Sequence, residues 1–403
     1  MTARVVLGVS GGIAAYKAAE LLRRFTESGH EVTVVPTESA LRFVGVATWA
    51  ALSGKPVSTS VWDDVHQVPH VAIGQTADLV VVAPATADLL AKAAHGLADD
   101  LLTTTLLTAR CPVVLAPAMH TEMWEHAATQ ANVATLRERG VVVIEPAVGR
   151  LTGADSGKGR LPDPEQIHAV CVRLLARGAT ADLAGRRVVV SAGGTREHLD
   201  PVRFLGNRSS GRQGYALART AVARGAEVVL VAANTALPDP AGVKVLRVTS
   251  ALELRDAVLA EALSADVVVM AAAVADYRPV ERLAAKRKKT DTLSVDFVQN
   301  PDVLAELGRA RRLGQLLVGF AAETGDADGG VLEHGAAKLT RKGCDLLVVN
   351  EVGEAGHPTG FEGDQNAAVV LGADGSATEV PLGSKDAVAD AVWDLVAARL
   401  PTA

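Results

Sequence analysis

The chain has 403 residues, of which 49% are apolar, only 3% are aromatic and 37 are glycine. Its 40 Lys and Arg residues against 46 Asp and Glu give a formal net charge of −6, which disfavours general nucleic-acid binding. The three cysteines, Cys111, Cys171 and Cys344, are too few and too widely spaced for a disulfide framework or a metal cluster, so a reduced, cytoplasmic setting is expected.

The beginning of the chain, MTARVVLGVSGG, predicts a first strand rather than a signal peptide, because it has one Arg and only a short apolar run before two glycines. No stretch reaches about 18 consecutive apolar residues, so no membrane-spanning helix is expected. The composition therefore predicts a soluble α/β protein.

In the first half, β-branched runs alternate with Ala- and Leu-rich segments of helical spacing. The strands are predicted at residues 4–9, 31–36, 78–85, 112–117 and 141–146. The helices between and after them are predicted at residues 17–29, 87–107, 126–140 and 163–178. Continuous apolar strands separated by helices indicate a parallel sheet that is covered on both faces.

The second half repeats this pattern after a short linker. Its strands are predicted at residues 186–195, 227–234, 266–276, 315–324 and 344–351, followed by a hairpin within 357–381 and a last helix at 385–400. The predicted organisation is thus a domain at 1–178, a linker at 179–185 and a domain at 186–403. Both domains are expected to be doubly wound, Rossmann-like α/β units.

Each predicted domain has a glycine turn after its first strand, at residues 10–12 and 191–195. Ligands of such sheets bind beyond the carboxyl ends of the strands, and glycine lets backbone N–H groups approach a phosphate there. A tight turn without a ligand is the alternative at either position. Neither turn matches G-x-G-x-x-G, and the second strands lead to Thr37 and Asn234 rather than to an acid, so a nicotinamide dehydrogenase is disfavoured.

Several motifs occur together in one order along the chain. Residues 8–17, 36–43, 83–104 and 116–124 resemble the flavin-binding phosphopantothenoylcysteine decarboxylases, and 153–162 resembles the substrate flap of that family. Residues 191–218 resemble the CTP-using ligases. The whole chain therefore resembles the bifunctional phosphopantothenoylcysteine decarboxylase/phosphopantothenate–cysteine ligases of bacterial coenzyme A synthesis. The resemblance implies a flavodoxin-like N-terminal flavoprotein and a C-terminal CTP-dependent ligase.

The resemblance implies that FMN is the cofactor of the first domain. The residues that match the family's flavin-binding positions are Ser10, Gly11, Gly12, Thr37, Ser39, Thr86 and Asp88. By their position after a strand, Thr86 and Asp88 are also candidates for capping the next helix.

The family mechanism oxidises the cysteinyl group to a thioaldehyde, which loses CO2 to give an enethiol that reduced flavin returns to 4′-phosphopantetheine. His70 matches the active-site histidine, and a neutral imidazole accepts a proton near neutral pH. His120 stands where the family has the Asn that binds the substrate carboxylate, and a His can still donate to a carboxylate. Gly153 and Ala154 stand where the family commonly has Cys-Gly, which leaves the proton donor for the final reduction unassigned.

In the second domain the resemblance implies activation of 4′-phosphopantothenate by CTP, then attack of the cysteine amine on an acyl-cytidylate. Asn207 and Lys286 match the catalytic residues. Residues 286–289 are four successive cations. They are predicted to neutralise the nucleotide phosphates, and the alternative is that they form a solvated loop. The remaining substrate and nucleotide positions are Arg203, Asp276, Asn300, Pro301, Asp302, Val303, Phe320, Lys338 and Lys342.

Lys338 and Lys342 have i,i+4 spacing, so the alternative for them is an exposed helix face. Mg2+ or another divalent cation is expected with the triphosphate, and Asp276 is the weak candidate ligand. Family members are oligomers, with trimeric flavin domains and dimeric ligase domains, and no nucleic acid or membrane partner is implied.

Three hypotheses follow. The first is a bifunctional enzyme. The second keeps the ligase but makes the flavin domain regulatory, since some relatives of this fold inhibit phosphatases, or lets it release an unreduced enethiol. The third is a decarboxylase of peptide C-terminal cysteines, which the ligase half disfavours.

Overall fold

The computed structural model describes residues 2–58, 69–151, 155–178, 181–286, 294–323, 330–351, 363 and 365–401. The chain divides into two compact units, Met1–Thr180 and Ala181–Ala403. Among the residues described, no helix is long and apolar enough to cross a membrane.

The N-terminal unit is built on five parallel strands in the spatial order β2-β1-β3-β4-β5. This is the flavodoxin-like strand order, as predicted for this half. The strands are β1 (Arg4–Val9), β2 (Glu31–Pro36), β3 (Leu79–Ala85), β4 (Val113–Pro117) and β5 (Val142–Val143).

The helices of this unit cover the sheet, and a short antiparallel pair of strands, the flap hairpin, follows β5. The helices are α1 (Ala15–Glu27), α2 (Glu38–Leu41), α3 (Val46–Ser53), α4 (Pro69–Thr76), α5 (Ala87–His95), α6 (Leu101–Thr108), α7 (Thr121–Glu125), α8 (Ala127–Glu138) and α9 (Pro164–Arg177). The flap hairpin consists of β6 (Ala147–Arg150) and β7 (Ser156–Arg160).

Two predictions for this unit were wrong in extent. The single helix predicted at 87–107 is two helices, because Gly96 has a left-handed φ of 69° and ends α5. Asp100 then begins α6 by accepting the N–H of Thr103 at 2.7 Å. The strand predicted at 141–146 is only β5, because Glu145 lies outside the strand and pairs with Arg137 at 2.6 Å.

The C-terminal unit is built on eight strands in the order β12-β11-β8-β13-β16-β17-β18-β19. The first six are parallel, and their order is that of a Rossmann sheet. β18 and β19 extend the sheet antiparallel. The strands are β8 (Arg187–Gly193), β11 (Glu227–Ala233), β12 (Val243–Val248), β13 (Val267–Met270), β16 (Leu316–Glu323), β17 (Leu346–Glu351), β18 (Gln365–Gly372) and β19 (Ala377–Ser384).

Two short antiparallel pairs and five helices complete this unit. The pairs are β9 (Arg196–His198) with β10 (Phe204–Gly206), and β14 (Tyr277–Pro279) with β15 (Phe297–Gln299). The helices are α10 (Arg212–Ala223), α11 (Ala251–Ala262), α12 (Val303–Ala310), α13 (Val331–Lys342) and α14 (Lys385–Ala397). The sequence predicts neither β12 nor the two pairs, because these strands are short or lie at an edge and have no continuous apolar run.

A buried arginine ties the beginning of the C-terminal unit to two of its helices. Arg224, whose side chain is 3% exposed, follows α10 and donates to Asp182 at 2.7 Å and to Asp394 of α14 at 2.9 Å. Asp390 of α14, 6% exposed, lies 3.5 Å from the same guanidinium. Three carboxylates therefore lie around one guanidinium, and Asp390 is the buried one among them.

We expect Arg224→Met to destabilise the C-terminal unit by about 3 kcal/mol, because it takes the cation out of a buried ion pair with Asp390. Differential scanning calorimetry checks the midpoint of the unfolding transition. The matched control is Arg23→Met, which removes an exposed pair with Glu27 in the other unit and should leave the midpoint unchanged. An equal, small effect of both substitutions would contradict the role given to Arg224.

Candidate functional site

The carboxyl ends of β1 and β3 lie side by side where the strand order of the N-terminal sheet reverses, and Ser10 joins them. Ser10 is 2% exposed. Its Oγ donates to the carbonyl of Pro84 at 2.7 Å and accepts the N–H of Thr86 at 3.0 Å. The hydroxyl proton predicted for a flavin phosphate is therefore used within the protein, and Ser10 acts here by fixing the two strand ends.

Both threonines predicted for flavin binding cap helices. Thr86 Oγ1 accepts the N–H of Leu89 at 3.3 Å at the beginning of α5. Thr37 Oγ1 accepts the N–H of Ala40 at 3.2 Å at the beginning of α2. The capping alternative thus describes Thr86, and direct contacts of these side chains with flavin stay predictions.

Asp88, in the first turn of α5, does not cap that helix. Its side chain is 75% exposed and lies 3.3 Å from the ammonium group of Lys92 on the same helix. Lys92 lies closer, at 2.9 Å, to Asp99. Asp88 is therefore one of two carboxylates around a single cation.

The two glycines after β1 differ in their surroundings. A Cβ on Gly11 would lie 2.3 Å from Cβ of Ser39, so the backbone packs directly on α2. A Cβ on Gly12 would meet nothing closer than Thr86 Cγ2 at 3.8 Å. The open backbone at Gly12, beside the N-terminus of α5, fits the phosphate of a flavin mononucleotide, because a glycine turn lets a phosphate approach the backbone and the helix dipole favours an anion there.

His120 lies at the N-terminus of α7, and its side chain is exposed and makes no capping bond. The preceding residue, Met119, donates its N–H to the carbonyl of Gly159 in β7 at 3.0 Å. The flap hairpin is thus hydrogen-bonded to the loop that carries His120. His70 is the second residue of α4, but its side chain lies outside the described residues, as do Gly153 and Ala154 of the flap.

In the C-terminal unit, two fully buried hydroxyls join the carboxyl ends of β8 and β13. Ser191 Oγ accepts the N–H of Ala272 at 3.1 Å. Thr195 Oγ1 accepts the N–H of Ala275 at 2.9 Å. The strand predicted at 266–276 ends at Met270. Beyond it, Ala273 forms an isolated parallel bridge in which its N–H donates to the carbonyl of Gly193 at 2.8 Å.

Asn234, at the end of β11, completes this edge. It has a left-handed φ of 51°, and its amide donates to the carbonyls of Gly194 at 2.9 Å and Thr249 at 2.8 Å. From the sequence, Asn234 is notable only because it stands where a dinucleotide-binding protein would have a ribose-binding acid. A polar residue directly after an apolar strand was the available signal for its structural role.

A cleft of about 260 Å³ opens beside this edge. It is lined by Gly194, Thr195, Arg196, Phe204, Gly206, Asn207, Arg208, Ser209 and Asn234. Asn207, predicted as catalytic, is exposed here and donates through Nδ2 to the carbonyl of Val274 at 3.2 Å. The cleft combines two arginines with amide and hydroxyl groups, a set that suits an anionic substrate.

The other residues of this predicted loop serve its structure. Arg203 donates from Nε and from one terminal nitrogen to Asp200 at 2.9 and 2.6 Å, and Asp200 is 1% exposed. Gly211 begins α10 with a left-handed φ of 79°, and a Cβ there would lie 2.6 Å from Thr235 Cγ2. Glycine is therefore required at the turn that brings the N-terminus of α10 to this edge.

The predicted nucleotide loop is fixed by its own side chains. Asn300 is 8% exposed; its amide donates to the carbonyl of Ala275 at 2.8 Å, and its Oδ1 accepts from Arg278 at 3.1 Å. Next to it lie Pro301, which is half-buried, and Val303, which is buried at the beginning of α12.

Asp302 caps α12 by accepting the N–H of Ala305 at 3.1 Å and forms an ion pair with Lys342. Burial raises the pKa of Asp302, but the hydrogen bonds from Lys342 and the Ala305 N–H, together with the charges of Lys342 and Arg341, hold that pKa below its ordinary value. The Lys342 side chain is only 15% exposed, so the alternative of an exposed helix face does not describe it. Lys338, one turn earlier on α13, is half-buried.

Three further predicted residues differ in their exposure. Asp276 and Lys286 are exposed, while Phe320 lies within β16 and packs half-buried against the core of this unit. Within the described parts of the chain, no three His, Cys, Asp or Glu residues form a metal cluster. A single exposed carboxylate at Asp276 fits Mg2+ only where substrate phosphates and water supply the other ligands, which is the usual case for that ion.

Family models match both units. Residues 1–176 match the family described as Flavoprotein, and residues 183–400 match the DNA/pantothenate metabolism flavoprotein C-terminal domain. The coenzyme A biosynthesis bifunctional protein CoaBC of Mycolicibacterium smegmatis is 62% identical over 407 residues, which cover 98% of each chain.

Solved structures match each unit separately. A C-terminal domain of the coenzyme A biosynthesis bifunctional protein CoaBC is 36% identical and covers 54% of this chain and 97% of that one, with a TM-score of 0.46. A PPC decarboxylase mutant complexed with pantothenoylaminoethenethiol is 34% identical and covers 44% of this chain and 99% of that one, with a TM-score of 0.40.

The glycine turn after β1 gives a direct test of this edge. Gly11→Ala should lower the midpoint of thermal unfolding of the flavin-free protein by several degrees, because the new Cβ collides with Ser39 and overpacking costs about 1–3 kcal/mol. Gly12→Ala is the matched control, since its Cβ meets only an ordinary contact. Equal midpoints for the two variants would show that the packing of Gly11 on Ser39 does not constrain the turn.

Proposed function

The chain belongs to the family of coenzyme A biosynthesis bifunctional proteins, and from that premise we propose that its two units catalyse successive reactions. The C-terminal unit joins 4′-phosphopantothenate to cysteine with CTP, and the N-terminal unit decarboxylates the product to 4′-phosphopantetheine. The observation that carries this proposal is a relative 62% identical over 98% of both chains, so the likeness extends through both halves.

In the ligase reaction, the carboxylate of 4′-phosphopantothenate forms a bond to the α-phosphate of CTP and pyrophosphate leaves. The cysteine amine then attacks the acyl carbon and CMP leaves. Asn207 lies on the cleft at the carboxyl edge, where its amide can donate to the acyl-cytidylate. Lys286 and Lys338 supply positive charge to the phosphates, which stabilises charge that develops as pyrophosphate departs.

In the decarboxylation, FMN supplies the oxidation and later reduction of the cysteinyl group when it is bound. The open backbone at Gly12 and the N-terminus of α5 hold its phosphate. His70 takes the proton that is lost as the cysteinyl group is oxidised. His120, exposed beside the flap hairpin, donates to the substrate carboxylate in place of the family's Asn.

The proposal extends to conditions and assembly. Mg2+ accompanies CTP, with Asp276 as its one protein ligand. The enzyme works in the cytoplasm, where free thiols stay reduced. Its flavin units assemble as trimers and its ligase units as dimers.

Incubation of the purified protein with 4′-phosphopantothenate, cysteine, CTP and Mg2+, followed by mass spectrometry, tests the whole sequence. We expect 4′-phosphopantetheine, CO2 and CMP. Phosphopantothenoylcysteine that accumulates without CO2 would favour a regulatory flavin unit. Release of the enethiol would show that the missing flap cysteine prevents the final reduction.

His70→Asn should lower decarboxylation by about 100-fold or more, because a positioned general base contributes about 10²–10⁴-fold. Phosphopantothenoylcysteine should then accumulate at the normal rate. His95→Asn is the matched control, since His95 is exposed at the end of α5. Normal decarboxylation by the His70 variant would remove this residue from the mechanism.

Asn207→Ala should lower ligation by about 100-fold, the usual loss when one donor to a charged intermediate is removed. Decarboxylation of added phosphopantothenoylcysteine by the same variant is the internal control and should be unchanged. A loss of both activities, or of neither, would contradict a ligase-specific role for Asn207.

A further inference from the structure

Strand β7 of the flap hairpin lies flush against the loop that carries His120. A Cβ on Gly157 would lie 2.2 Å from Oγ1 of Thr121, and a Cβ on Gly159 would lie 2.2 Å from the carbonyl oxygen of Met119. The N–H of Met119 donates to the carbonyl of Gly159 at 3.0 Å. β7 therefore packs closely on this loop, and we expect a shift of β7 to move the loop with it.

Lys158 lies between these two glycines and has different partners. Its Nζ is 2.6 Å from Oε2 of Glu145 and 5.8 Å from the ring centroid of Trp124. Successive residues of a strand point to opposite faces, so the glycines contact the loop while the lysine side chain reaches Glu145. The ammonium group is therefore available to fix β7 without disturbing its contact with the loop.

Glu145 is itself held by the body of the unit. Its side chain is 20% exposed, and Arg137 of α8 donates to it at 2.6 Å and to the carbonyl of Val143 at 3.0 Å. Burial raises the pKa of Glu145, but the interactions with Lys158 and Arg137 together outweigh it and lower the pKa below its ordinary value. The carboxylate thus stays charged and links α8, the end of β5 and the flap hairpin.

We propose that Lys158 is a positioning residue for decarboxylation: its ion pair with Glu145 seats β7 on the Met119–His120 loop and so fixes His120 where the substrate carboxylate binds. The catalytic consequence rests on the proposed function of this unit. The packing of β7 on the Met119–His120 loop does not rest on the proposed function, because it is inferred from contacts within the chain. Lys158 touches neither the substrate nor the flavin in this proposal.

The kinetic test uses the full-length, FMN-loaded protein with phosphopantothenoylcysteine. Lys158→Met should raise KM for decarboxylation about tenfold and change kcat by less than about twofold, because it weakens binding of the carboxylate in ground and transition states alike. Lys158→Arg should restore KM to within about twofold, since an arginine also pairs with a carboxylate. Flavin absorbance and the ligase rate should be unchanged in both variants.

Lys55→Met is the matched control. Lys55 is about as exposed as Lys158, at 39% against 42%, and it pairs at 3.3 Å with the more exposed Glu31, in the same unit but outside the flap. Its loss should leave KM and kcat unchanged. An unaltered KM in the Lys158→Met variant, or a fall in kcat that arginine does not restore, would overturn the positioning role.

Amide hydrogen exchange separates this proposal from the proposed function. The Met119 amide should exchange about tenfold faster in Lys158→Met than in the parent, because its bond to Gly159 depends on the seating of β7. Exchange in Lys55→Met should match the parent. If the parent protein does not decarboxylate phosphopantothenoylcysteine, the proposed function fails, while unchanged Met119 exchange would overturn the anchoring by Lys158.

Discussion

Buried hydroxyl groups hydrogen-bond the neighbouring strand ends at the carboxyl edge of both parallel sheets, and the candidate sites depend on these bonds. Where two neighbouring parallel strands send the chain to opposite faces, their last backbone groups lose their ladder partners. Ser10 supplies the missing partners in the N-terminal unit by bonding to Pro84 and Thr86. Ser191 and Thr195 do the same in the C-terminal unit. In the C-terminal unit, a cleft lined in part by Thr195 opens beside this edge.

The need to satisfy backbone groups at turns and helix ends also explains why several predicted binding residues have hydrogen-bond partners within the protein. Thr37 and Thr86 cap helices, Asp302 caps α12, and Asn300 bonds to Ala275. These bonds hold the turns at fixed positions. A residue can therefore belong to a family motif because it shapes the turn, whether or not it contacts the ligand.

Charge is arranged differently in the two units. The flap hairpin of the N-terminal unit is tied to the body through one carboxylate, Glu145, which is shared by Lys158 and Arg137. In the C-terminal unit the cation is shared instead, since Arg224 compensates carboxylates from the linker end and from α14. Half-exposed pairs like that of Lys158 add little to stability, so their importance lies in the position that they impose on a loop.

The sequence by itself determined the two α/β units, most strand positions, and the glycine turns at the carboxyl edges, because apolar runs and glycines act through local spacing. The family followed from motifs that occur in one order along the chain. Only the tertiary structure decided that Lys342 pairs with Asp302 and that Lys158 reaches Glu145. It also decided where β12 and the short antiparallel pairs form. These features depend on which groups meet across the fold. Neither the partner of a charged side chain nor the position of an edge strand produces a periodic pattern in the sequence.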